Sequence, residues 1–126
     1  MILVTGATGF VGKQVVNELL ARSLDFKIIC SKNKNLDPVL KNKIKNIYYT
    51  DNLFTENEQW FDKVLDGIDI VIHLAWHVKP GDYLNSEKNI DCFNGSVHFA
   101  KNCIENKIRK FVGIGTCFEY EPNNIQ

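Results

Sequence analysis

Thr5-Gly6-Ala7-Thr8-Gly9-Phe10-Val11-Gly12, near the start of this chain, sets its fold class. It leaves a short apolar run, Ile2-Leu3-Val4-Thr5, which predicts a buried strand. It leads into residues 11–22, where Val15, Val16, Leu19 and Leu20 fall at helical spacing. The glycines at 6, 9 and 12 form a G-x-x-G-x-x-G pattern. Gly6 permits a tight turn out of the strand, and Gly9 lets the backbone approach a pyrophosphate with no Cβ in the way. Gly12 allows close packing of helix on sheet, and the helix start presents free N–H groups to phosphates. A glycine pattern alone is weak evidence. Set between a buried strand and an amphipathic helix, it predicts dinucleotide binding, with Gly6, Thr8, Gly9, Phe10, Val11 and Gly12 as the cofactor-binding residues.

Beyond this stretch, short β-like runs alternate with amphipathic segments. Strands are expected at 26–30, 47–50, 68–74 and 111–114, the one at 68–74 nearly all apolar, as a strand covered on both faces should be. Residues 31–45 are polar and rich in Lys and Asn, with Pro38 as a breaker, and read as a loop with at most one helical turn. Residues 56–65 predict a helix with Trp60, Phe61, Val64 and Leu65 inward. A longer helix is expected over 86–106, where Ile90, Phe93, Val97, Ala100 and Ile104 mark one face. Strands joined through helices predict right-handed crossovers and an α/β fold: a Rossmann-type parallel sheet of about five strands with helices on both faces. On such a sheet ligands sit beyond the C-terminal strand ends.

The 126 residues suit one domain with a real core, and residues 1–126 read as a single incomplete dinucleotide-binding unit. Fifteen basic residues balance fifteen acidic ones, so no global field favours nucleic acid or an anionic membrane. No apolar run approaches a membrane span, and the start has no basic segment of the kind a secretory leader carries. Cys30, Cys92, Cys103 and Cys117 form no C-x-x-C pair, and His73, His77 and His98 show no ligand spacing, so no metal site is expected. Reduced thiols fit a cytoplasmic setting.

The G-x-x-G-x-x-G spacing resembles the short-chain dehydrogenase/reductase superfamily, and "ILVTGATGFVG" resembles its extended branch, the nucleotide-sugar epimerases and dehydratases. Two further stretches follow in the same order. "DGIDIVIHLAW" (66–76) is similar to the branch's fourth strand, and "IRKFVGIGTCFEY" (108–120) to its fifth strand and the Ser/Thr segment after it. The "GTCFEY" wording also resembles a subgroup acting in surface-polysaccharide pathways.

What the resemblance implies can be followed strand by strand. After the second strand, NAD-preferring members carry an acid that accepts from the ribose hydroxyls. Here Ser31 and Lys32 stand there with no acid. Lys32 could neutralise a 2′-phosphate, which tips the choice between NAD and NADP towards NADP, although a plain solvated lysine would look the same. After the third strand, Asp51 would accept from the adenine amine and the backbone of Asn52 would meet the ring; an Asp capping the next helix is an equal reading. Leu74, Ala75 and Trp76 should line the cofactor near its ribose and pyrophosphate, Trp76 in place of a usual small residue. His73 and His77 read as core or rim histidines. Cys92 falls where the family often has Asn, and Gly95-Ser96 match its Gly-Thr. The long helix bearing Ile90, Phe93 and Val97 resembles one of the pair through which family members dimerise, which implies a homo-oligomer.

Thr116 lies four residues before Tyr120, the spacing at which the family's Ser or Thr hydrogen-bonds the substrate oxygen, and is the one catalytic candidate; a strand-end cap is the plainer reading. The proton-transfer pair Y-x-x-x-K is missing, since none of Tyr48, Tyr49, Tyr83 and Tyr120 has Lys four positions on. The expectation is therefore the cofactor-binding portion of an NAD(P)-dependent nucleotide-sugar epimerase or reductase, inactive as these 126 residues, truncated before later strands and a substrate domain. In the family's dehydratases an Asp-Glu pair follows the Thr; Cys117 and Phe118 stand here, which predicts no dehydratase chemistry. A non-catalytic NADP-binding redox sensor of the same superfamily is the alternative.

Overall fold

The computed structural model describes residues 1–44 and 46–116. Strands β1 (Ile2–Thr5), β2 (Phe26–Ser31), β3 (Ile47–Thr50), β4 (Ile70–His73) and β5 (Lys110–Gly113) form one sheet. All neighbours are parallel, in the order β3-β2-β1-β4-β5. The register sets Thr5 beside Ile29 and His73, and Ser31 beside Thr50. Strand alternation divides the core into two layers. Leu3, Ile29 and Val71 join Phe61, Val64, Leu65, Phe99 and Cys103 on one face. Val4, Ile28 and Cys30 join Val16, Leu19 and Phe26 on the other. Helix α1 (Phe10–Ala21) covers the second layer, while α3 (Glu58–Leu65) and α4 (Lys88–Glu105) cover the first. This is the α/β arrangement that the alternating sequence predicts. Phe61 and Phe99 are fully buried and stacked with centroids 5.1 Å apart. Each such burial contributes on the order of 2–3 kcal/mol.

Three local expectations need correction. Pro38 opens a helix instead of breaking one: α2 spans Pro38–Lys43, with the Asp37 carboxylate accepting from the N–H of Val39 at 2.8 Å. Proline suits the first helical position because its missing N–H has no partner there anyway. The helix expected over 56–65 begins at Glu58, capped by the Asn57 side chain on the N–H of Trp60 at 2.9 Å. Before it, Leu53–Thr55 form a single 3-10 turn.

The third correction concerns α4. Its regular apolar positions look outward: Ile90, Phe93, Val97 and Ile104 are all exposed, Ile104 at 76%. The face that packs inward carries Cys92, Gly95, Phe99, Asn102 and Cys103. Gly95 decides this. A Cβ there would lie 2.3 Å from the Cβ of Phe54, so only glycine lets the 3-10 turn rest on the helix.

Candidate functional site

The C-terminal ends of β1, β2, β3 and β4 open into one cleft of about 830 Å³. The sequence order reverses at β1, between β2 on one side and β4 on the other, which is where ligands enter sheets of this kind. Of the residues singled out in the sequence, Gly6, Thr8, Gly9, Ser31, Asp51, Asn52, Leu74, Ala75 and Trp76 line this cleft.

The turn after β1 is built around two close approaches. Gly6 has φ +68°, and a Cβ on it would lie 2.6 Å from the carbonyl carbon of Leu74. A Cβ on Gly12 would lie 2.1 Å from the carbonyl oxygen of Gly6. Gly12 is therefore required by the turn itself and not, as its spacing suggests, by contact with the sheet. The Gly9 N–H donates to the Gly6 carbonyl at 3.0 Å, and Gly9 caps α1 without any side-chain partner. No acidic residue stands in the first helical turn. The leading N–H groups and the positive end of the helix are thus left to an outside anion. Phe10 and Val11 turn their side chains to solvent, so only their backbone can serve such a ligand.

The wall against which the glycine turn rests, Leu74 and Ala75, is held by a buried polar chain. The Thr5 hydroxyl oxygen accepts from the N–H groups of Leu74 and Ala75, both at 3.2 Å. With its lone pairs so used, its proton goes to Nδ1 of His73 at 2.8 Å. The remaining His73 proton sits on Nε2 and is donated to the Ser96 hydroxyl at 2.9 Å. Burial pulls the His73 pKa down to about 4, so the ring is neutral at pH 7. One imidazole therefore ties β1, β4 and α4 together beneath the Leu74–Ala75 wall. It is a core histidine, as the sequence suggests.

At the β2–β3 end, Lys32 does not line the cleft. Its N–H continues the ladder to the Thr50 carbonyl at 2.9 Å, and its ammonium meets the Asp51 carboxylate at 2.6 Å. That hydrogen bond, and then the Asp51 charge, raise the Lys32 pKa. Asp51 caps no helix. That work falls to Asn52, whose side chain accepts from the Phe54 N–H at 3.1 Å, and to Asn57. Lys34 stands on the cleft wall, a residue the sequence reading passed over.

Beyond β4 the indole Nε1–H of Trp76 donates to the Asn89 side-chain oxygen at 2.9 Å, and the Asn89 amide donates to the Tyr83 carbonyl at 2.5 Å. The Trp76 side chain, standing where the resemblance implies a small residue, is anchored to α4 at the cleft rim. Its neighbour His77 pairs with Asp82 at 3.0 Å. Cys92 also borders the cleft, its thiol pKa raised mainly by burial. Thr116 is exposed past the end of β5. Cys117, Phe118, Glu119 and Tyr120, named in the sequence reading, lie outside the described residues.

The family described as "NAD dependent epimerase/dehydratase family" matches residues 2–126. The chain belongs to this family. Within the epimerase/dehydratase family, the dTDP-D-glucose 4,6-dehydratase of Dictyostelium discoideum is 31% identical, across 99% of this chain and 31% of that protein. The trifunctional UDP-glucose 4,6-dehydratase/UDP-4-keto-6-deoxy-D-glucose 3,5-epimerase/UDP-4-keto-L-rhamnose-reductase of Arabidopsis thaliana is 27% identical, across 91% of this chain and 19% of that protein. The chain thus spans about a third or less of these relatives. Among solved structures, the UDP-glucose 4-epimerase of Thermus thermophilus, in complex with NAD, superposes with a TM-score of 0.67 at 18% identity. That match covers 87% of this chain and 35% of the other, and shows the shared fold. Among the described residues, no helix is long and apolar enough to cross a membrane.

Proposed function

We propose that this chain is the dinucleotide-binding portion of an NAD(P)-dependent enzyme acting on a nucleotide-activated sugar, as an epimerase or reductase. The observation that carries the reading is the uncapped start of α1 behind a turn in which any Cβ at Gly6 or Gly12 would strike backbone. That cradle fits a pyrophosphate. Gly6, Thr8, Gly9 and the N–H groups of Phe10 and Val11 would hold it, with Ser31, Asp51 and Asn52 toward the adenosine and Leu74, Ala75 and Trp76 along its ribose and pyrophosphate. When bound, the nicotinamide supplies the hydride acceptor and donor for a sugar carbon. The Thr116 hydroxyl would orient the substrate oxygen. Y-x-x-x-K is absent from these residues, so they bind without turning over, and the free thiols of Cys30, Cys92 and Cys103 fit a cytoplasmic setting.

Two relatives carry 4,6-dehydratase in their names, and that is the competing chemistry. Elimination of water needs a paired acid and base. The positions directly after Thr116 are Cys117 and Phe118, a weak acid and no acid, which supports epimerase or reductase. The exposed stripe of Ile90, Phe93, Val97 and Ile104 supports self-association through α4. The binding reading is tested by titrating the chain with NADH and following nicotinamide fluorescence. Saturable binding that ADP-ribose competes away is expected. A folded chain that leaves NADH fluorescence unchanged at millimolar concentration would defeat it. For the reaction, the whole enzyme given nucleoside-diphosphate hexoses should yield no 4-keto-6-deoxy product.

A further inference from the structure

We infer that Lys34, and not Lys32, is the residue through which this chain recognises a 2′-phosphate on the adenosine ribose, and that Asp51 is what withholds Lys32. The inference rests on the dinucleotide reading above. Lys32 still belongs to the sheet ladder, its N–H on the Thr50 carbonyl at 2.9 Å, so its side chain leaves beside β3 and reaches the residue that follows Thr50. There the Asp51 carboxylate holds it at 2.6 Å. The chain then turns back: the Lys34 N–H donates to the Ser31 carbonyl at 3.0 Å, closing a tight turn that returns Lys34 to the mouth of the cleft beside Ser31. The Ser31 hydroxyl accepts from the Asn33 N–H at 3.3 Å and keeps its own proton to donate. A hydroxyl donor and an ammonium flanking the end of β2 are the groups a ribose phosphate requires.

Charge decides between the two lysines. Drawing Lys32 toward a phosphate would strip the cation from Asp51, whose carboxylate lines the same cleft and would then face the phosphate as a like charge. Lys34 has no ion pair among the described residues, so its charge is available without uncovering an acid.

The test compares NADH and NADPH titrations, read by nicotinamide fluorescence, in the wild-type chain and in Lys34→Gln, Lys32→Gln, Asp51→Asn and the Lys32→Gln/Asp51→Asn double variant. Lys34→Gln should weaken NADPH roughly five- to tenfold relative to NADH, the loss of one charge-assisted contact. Lys32→Gln alone uncovers Asp51 and should lower the NADPH/NADH ratio less than Lys34→Gln does. Lys32→Gln with Asp51→Asn, which removes the pair without leaving a bare carboxylate, should keep the ratio within about twofold of the wild type. Asp51→Asn should shift the ratio toward NADPH by freeing Lys32. A ratio that falls in the Lys32→Gln/Asp51→Asn double variant as far as in Lys34→Gln, or that ignores Lys34→Gln, overturns the inference while leaving NADH binding in place. Failure of the folded wild-type chain to bind either nucleotide would instead overturn the dinucleotide reading, and this inference with it.

Discussion

The carbonyl oxygen of Gly6 occupies the space into which a side chain at Gly12 would have to grow, 2.1 Å from the ideal Cβ position. The strand exit and the start of α1 are therefore one interlocked unit, and the glycine turn cannot be altered at either end independently.

Gly12→Ala should lower stability by about 3 kcal/mol, because the obstructing atoms are backbone and cannot rotate away. It should also abolish NADH binding. Gly67→Ala is the control: φ is +70° there, but nothing lies within 4 Å of the new Cβ. It should cost only about 1 kcal/mol and leave binding intact. Thermal unfolding with parallel NADH titration separates the two, and equal losses would contradict the interlock.

His73 makes the fold acid-sensitive in a defined window. Burial favours its neutral form, so its folded pKa, about 4, lies below the ordinary 6.5. On acidification the unfolded chain takes up the proton first. The contribution of the neutral ring is complete above pH 6.5 and is lost as pH falls toward 4, about 3 kcal/mol in all. Urea unfolding at pH 7 and pH 4 should show a steeper acid loss in the wild type than in His73→Asn. Parallel profiles would refute the assignment.

The two faces of α4 should answer oppositely to truncation. Phe99→Ala removes a fully buried ring and should cost roughly 3–5 kcal/mol. Phe93 is 61% exposed, and Phe93→Ala should change monomer stability by less than about 0.5 kcal/mol. If the outward stripe joins two copies, sedimentation of the wild type should show a dimer that Phe93→Asp dissociates. A wild type that remains monomeric at high concentration would end that part of the proposal.

Burial pushes the Cys30 thiol up to about 11 and that of Cys103 up to about 12. Both should resist alkylation in the native chain at neutral pH, by at least about a hundredfold relative to the chain in urea. Mass mapping of labelled peptides checks this residue by residue. Rapid native labelling of either would mean the core opens there.

Much of this protein was legible in the sequence because the deciding signals are local. The apolar runs before Gly6 and before Leu74, and the spacing of Gly6, Gly9 and Gly12, depend only on residues within a few positions of one another. They determined a parallel sheet, a glycine turn and the edge at which a ligand would sit. The tertiary structure decided what depends on residues far apart in the chain. The apolar stripe of α4 looked like its buried face, yet Phe54, some forty positions earlier, packs on Gly95 and turns Ile90 and Phe93 to solvent. Lys32 looked free for a ligand, yet parallel pairing of β2 with β3 brings it to Asp51. The tautomer of His73 is set by Thr5 and Ser96, partners that only the folded sheet brings together. Periodicity reports which residues share a face, and only packing settles what that face meets.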